Sequence, residues 1–158
     1  MIGERFFKAY IKSEPAKSKF IPSSTDGAKE LRGSHYFVIY RFYIPGYEEY
    51  ENLISFHVDL NGNLLSKEYV DGIPQCPSND CWDTFHVIDK SEAVKIAKGS
   101  GLEDGLNEWK LSLHYYGGNI RDYVWGIENT LGKDNGRSVI IEARTGKVEG
   151  IYEWMRMQ

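Results

Sequence analysis

Cysteine, methionine, proline and histidine are all scarce: two, three, five and four residues in a chain of 158. So few cysteines exclude a disulfide-stapled miniprotein. A chain of this length can bury roughly 70% of its unfolded surface without such staples. No apolar run approaches the ~20 residues needed to cross a bilayer, and the opening MIGERFFKAYIKSEP lacks the uninterrupted apolar stretch of a secretory leader. Neither sign of charge dominates, since 19 basic and 23 acidic side chains leave a net −4. That balance excludes the basic footprint of a nucleic-acid binder. His35, His57, His86 and His114 show none of the paired spacings that hold a metal.

Aromatic residues are abundant, with 11 Tyr, 7 Phe and 4 Trp making up 14% of the chain. Tyrosine-rich strands suit half-buried sheets. HYFVIYRFYI (35–44) reads as a strand stopped by Pro45-Gly46, and NLISFHVDL (52–60) as a second that turns at Asn61-Gly62 into NLLSKEYV (63–70). That turn sets Asp59 opposite Leu64, His57 opposite Ser66 and Ser55 opposite Glu68, with Ile54, Phe56, Val58 and Leu60 on the other face. Upstream, Phe6, Phe7, Tyr10 and Ile11 have the spacing of a short amphipathic helix over Glu4 to Ile11. Residues 12–34 read as a long connection with one helical turn around Ala28 to Leu31.

In the second half, DKSEAVKIAKGSGL (89–102) predicts a helix capped by Asp89 or Ser91, stopped by Gly99, and burying Ala93, Ile96 and Ala97. EWKLSLHYY (108–116) follows as a strand with Trp109, Leu111, Leu113 and Tyr115 on one side. Pairing Ile127 with Ile141 in the next hairpin gathers Tyr123, Trp125, Ile127, Val139, Ile141 and Ala143 on one face. Ala143-Arg144-Thr145-Gly146 predicts a turn with Gly146 in the left-handed position and a bulge. Laying 35–44 over 122–131 and 52–70 over 137–154 matches two strand–strand–turn–strand patterns, the signature of a tandem repeat. The expected fold is therefore α+β: antiparallel meanders with a helix packed on one face, in units 1–79 and 80–158 that form one compact domain.

Cys76 and Cys81 sit in the turn-rich QCPSNDCW. A disulfide between them leads the readings, ahead of two free thiols and of a metal site that lacks a second ligand pair. If bonded, they point outside the cytoplasm.

Residues 88–154 resemble a PepSY domain in the helix IDKSEAVKIA, the strand beginning YVWGIEN and the IIEARTGKVEG turn, with Glu142 where that family more usually has aspartate. The resemblance implies two repeats, the first degenerate, and a bacterial extracytoplasmic domain without enzymatic chemistry or cofactor that binds peptidases or other proteins. The layout is also similar to that of β-lactamase-inhibitor-like proteins. Localisation is expected to be periplasmic, surface or secreted where a leader precedes Met1, and cytoplasmic otherwise.

Candidate chemistry is thin. Ser66, His57 and Asp59 share a predicted face, but a flat hairpin offers no oxyanion hole. Glu128 and Glu142 read as a solvated acidic face. KGSGLEDG (98–105) follows a helix rather than preceding one, so it is not a phosphate cradle. No catalytic residue and no metal ligand is nominated. The candidate binding surface is aromatic, namely Tyr115, Tyr116, Tyr123, Tyr152 and Trp154, because exposed Tyr and Trp anchor protein interfaces. The expected partner is another protein, a peptidase among them, with neither nucleic acid nor a membrane span. The oligomeric expectation is a monomer or a sheet-paired dimer. A small-ligand carrier with a tyrosine-lined pocket is the alternative.

Overall fold

A computed structural model describes residues 4–26, 28–50, 52–67, 70–74 and 85–156. Cys76 and Cys81 lie outside the described residues. The chain divides into two compact units, Met1–Asp83 and Thr84–Gln158. Each carries a four-stranded sheet with antiparallel pairing throughout, and helix is the minor component. Among the described residues no helix is long and apolar enough to cross a membrane.

The first unit runs α1 (Glu4–Tyr10), β1 (Ile11–Ser13), β2 (Lys19–Ile21), β3 (His35–Phe42) and β4 (Asn52–Val58). β3 is the spine. β4 pairs along one edge, while β1 and β2 share the other, at the Phe42 and His35 ends respectively. Both short strands belong to the stretch expected to be a plain connection, since three residues are too few to show an alternation. Glu14 fixes their link, for its backbone N–H donates to the Ile39 carbonyl (3.0 Å) and its carboxylate accepts from Arg41 Nε (2.8 Å). The turn of helix expected near Ala28 is a 3-10 turn, Lys29–Leu31.

The two-residue turn expected at Asn61-Gly62 gives way to a longer one, in which left-handed Gly62 donates to the Asp59 carbonyl (3.1 Å) and the Asp59 N–H donates to the Asn63 carbonyl (2.8 Å). Asp59 Oδ1 accepts from the backbone N–H groups of Asn61 (2.8 Å) and Asn63 (2.8 Å), closing a wider loop through a side chain. Val58 rather than Asp59 therefore faces Leu64, and Ser55 faces Asp71 rather than Glu68. The returning chain meets β4 at isolated bridges and not as a continuous strand.

The second unit runs α2 (Lys90–Gly99), β5 (Lys110–Tyr116), β6 (Asp122–Thr130), β7 (Asn135–Glu142) and β8 (Val148–Met155), with the strands side by side in that order. Asp89 caps α2 by accepting from the Glu92 N–H (2.8 Å), and the Ser91 hydroxyl supports it instead of competing. The helix ends at Gly99 as expected, but Gly99 is not the left-handed residue that caps it. Gly101 carries the left-handed backbone (φ +91°). Its N–H donates to Lys98 (3.0 Å), and that of Leu102 donates to Ala97 (3.1 Å), which satisfies the last carbonyls with Leu102 buried.

Alternation then builds the core. Leu111, Leu113 and Tyr115 oppose Ile127, Trp125 and Tyr123, which in turn oppose Val139, Ile141 and Ala143. The Ile127–Ile141 pairing expected from sequence is displaced by two positions, and a displacement of two keeps every side chain on its face. The Trp125 indole donates to the Ile88 carbonyl (3.1 Å), just ahead of α2. Ala93 and Ala97 are fully buried, with α2 beside β6 and β7. Gly146 (φ +74°) closes the β7–β8 turn, donating to Glu142 (2.9 Å), and the register shifts between Ile140 and Ile141.

The two glycines at the end of α2 make opposite tests of where it stops. Gly99 has open space around it, so Gly99→Ala stabilises the chain by up to ~1 kcal/mol through helix propensity. Gly101→Ala loses about 1 kcal/mol because its backbone is left-handed. Thermal unfolding of both variants checks this, and a loss at Gly99 with none at Gly101 would move the left-handed cap to Gly99.

Candidate functional site

In a strand, neighbouring side chains point to opposite faces, and this separates the aromatic candidates. Tyr115 and Tyr123 face the core as cross-strand partners with ring centroids 5.8 Å apart, and the Tyr123 ring also meets Phe85 at 6.2 Å. Tyr123 is 0% exposed, so it has no place on a binding surface. Tyr116, Tyr152 and Trp154 lie on the opposite, open face of the sheet.

Glycine and serine keep the middle of that face low. Ser112, Gly126, Ile140 and Gly150 form one row across all four strands. Large rings lie down over the gaps: a Cβ at Gly136 would fall 2.5 Å from the Trp154 ring, and one at Gly150 would fall 2.6 Å from the Tyr152 hydroxyl. Tyr116 and Tyr152, 41% and 51% exposed, belong to opposite edge strands, yet both line one cavity of about 240 Å³ with Gly118, Asn119, Ile120, Ile140 and Glu149. At the other end of the face a cleft of about 510 Å³ is lined by Asn107, Glu108, Lys110, Glu128, Thr130, Lys133, Trp154 and Arg156.

The charges at the two ends differ in kind. Beside the tyrosine cavity they are paired. Arg144 bonds Asp122 (3.2 Å), and Lys147 lies 3.5 Å from Glu142 and bonds Glu149. Burial pushes the Asp122 carboxyl above its usual range against the pull of the Tyr123 N–H and Arg144. The Thr145 hydroxyl, at 2.6 Å, holds Glu142 below its own, so the expected acidic face is a bonded turn there. Around the larger cleft, Lys110, Lys133 and Arg156 make no ion pair with any described residue.

Sequence reading passed over Ser112 and His114, whose i,i+2 spacing in a strand is the signal that sets them on one face. Ser112 Oγ is 3.2 Å from His114 Nδ1, and desolvation pushes the imidazole pKa down. A nucleophile unit needs an acid to orient the imidazole, and among the described residues no side chain hydrogen-bonds its Nε2. Among the described residues, too, no three metal-ligating side chains converge.

In the first unit, His57 packs against other rings. Its ring centroid is 4.9 Å from that of buried His35 and 4.9 Å from that of Phe37, while the Asp59 carboxylate is engaged by Asn61 and Asn63. No family model and no curated protein matches the chain.

Burial first, and then the neighbouring His35, lower the His57 pKa. The fold thus prefers neutral imidazole, and its contribution is complete above the unfolded value of about 6.5 and lost as pH falls toward the depressed folded value. The His57 imidazole proton resonances are expected to titrate with a midpoint below 6.5, and His35→Gln should move that midpoint upward. A midpoint at or above the ordinary histidine value would contradict this packing.

Proposed function

We propose that this chain is a non-enzymatic protein-binding module that receives its partner on the open sheet face of β5–β8. One observation carries the reading. Tyr116 and Tyr152 start from opposite edges of a four-stranded sheet, roughly 14 Å apart at ~4.8 Å per strand, and still line one cavity. Exposed tyrosines flanking a pocket are what protein interfaces use as anchors. At about 240 Å³ the cavity is smaller than the ~300–1,000 Å³ typical of small-molecule sites. Its size suits one partner side chain better than a carried ligand.

The PepSY likeness belongs to the same proposal. Its support is the order helix, antiparallel strands and Thr145-Gly146 turn in the second unit, with a helix followed by antiparallel strands in the first. On that reading the chain is a tandem pair with α2 laid on its sheet, it works outside the cytoplasm, and a peptidase is among the partner classes. β8 is an edge strand of eight residues, which keeps a sheet-paired dimer in view beside the monomer.

The test is partner retention on the immobilised chain, comparing wild type with the double variant Tyr116→Ala, Tyr152→Ala. Both side chains are exposed, so the melting temperature is expected to change little. Binding of a purified partner is expected to weaken by at least about thirtyfold, as two anchor residues would produce. Equal retention by both proteins would move the contact off this face.

A further inference from the structure

We infer that the cleft beside Trp154 is the seat of a carboxylate presented by the partner; this rests on the open face being the binding surface. Lys110, Lys133 and Arg156 bring three positive charges to its lining, against Glu108 and Glu128, and none of the three cations is spent on an ion pair with a described residue. Elsewhere in this unit Arg137, Arg144 and Lys147 are each paired with a carboxylate. Arg121 also makes no ion pair with a described residue, but the cleft gathers three such cations in one lining.

The second observation is a donor. The Trp154 Nε1–H is shielded from solvent and has no hydrogen-bond acceptor. A buried unmet donor is costly, and natural structures place few of them. The ring lies over Gly136, where a Cβ would fall 2.5 Å from it, and it also lines the cleft. On this inference the missing acceptor is one held in the cleft. An acceptor flanked by Lys and Arg is best supplied by a carboxylate, which accepts at two oxygens and is bonded more strongly than a neutral amide.

Geometry adds a spacing. Lys110 and Tyr116 are six positions apart on β5, roughly 20 Å along a strand. A partner segment lying along the face thus offers an apolar side chain to the tyrosine cavity and, about four to six extended residues away, an Asp or Glu to the Trp154 cleft.

The experiment uses the full chain, labelled with nitrogen-15, and extended acetylated peptides carrying Leu and Glu five residues apart in either order, each matched by a Gln version. With a Glu peptide at millimolar concentration the Trp154 indole N–H resonance is expected to move downfield, and the peptide to bind roughly tenfold tighter than its Gln match. Trp154→Phe keeps an aromatic ring and is expected to erase that preference. Equal binding of Glu and Gln peptides, with shifts around Tyr116 and Tyr152, would overturn the carboxylate seat and leave the binding face standing. No shift at the cleft with any peptide would overturn the seat as well, while partner retention on the immobilised chain would still judge the face independently.

Discussion

The structure of the second unit depends on the burial of Trp125. The indole sits at the middle of the central strand β6, with Leu113 and Ile141 as its cross-strand neighbours, and is fully enclosed. A buried tryptophan contributes a large apolar area, but only where its N–H finds an acceptor. The Ile88 carbonyl supplies one, and it belongs to the segment that leads into α2. One side chain thus ties the sheet to the segment that leads into the helix. Ala93 and Ala97, small residues that favour helix, are the fully buried positions of α2.

Burying one face leaves the character of the other to be set separately. A sheet with bulky side chains on both faces would need a second layer to cover them. Here the outer face has glycine at positions 126, 136 and 150, all on strands. Glycine weakens a strand, yet at 136 and 150 it makes room for Trp154 and Tyr152 to lie against the backbone, while Gly126 leaves room for Ser112 and His114. The rings recover apolar contact without a covering layer, and their outer surfaces remain available. The same arrangement that lets a single-sided sheet stand also furnishes it with anchors.

Much of the fold was legible because strand alternation tolerates error. The β6–β7 register read from sequence was wrong by two residues, but parity survived, so the core residues of that hairpin were assigned to the correct face. Local side-chain chemistry was harder. Asp59 reshapes the Asn61-Gly62 turn by binding two backbone N–H groups, and the left-handed cap of α2 is Gly101, two residues past its last helical residue Gly99. Parity held the answer for Tyr115 and Tyr116 too, since adjacent strand residues cannot share a surface.

The candidate site was less legible for a physical reason. A core is written along the chain as a period, whereas this face is assembled from single residues on four strands, and its two ends differ in whether their charges are already paired. Lys147 and Lys133 look alike in sequence. One is committed to Glu142 and Glu149, while the other lines a cleft without an ion-pair partner among the described residues. Exposed ion pairs contribute little to stability, so evolution is free to pair or leave such charges at small cost to the fold. Where a charge is left unpaired next to an unmet indole donor, stability gives no account of the arrangement.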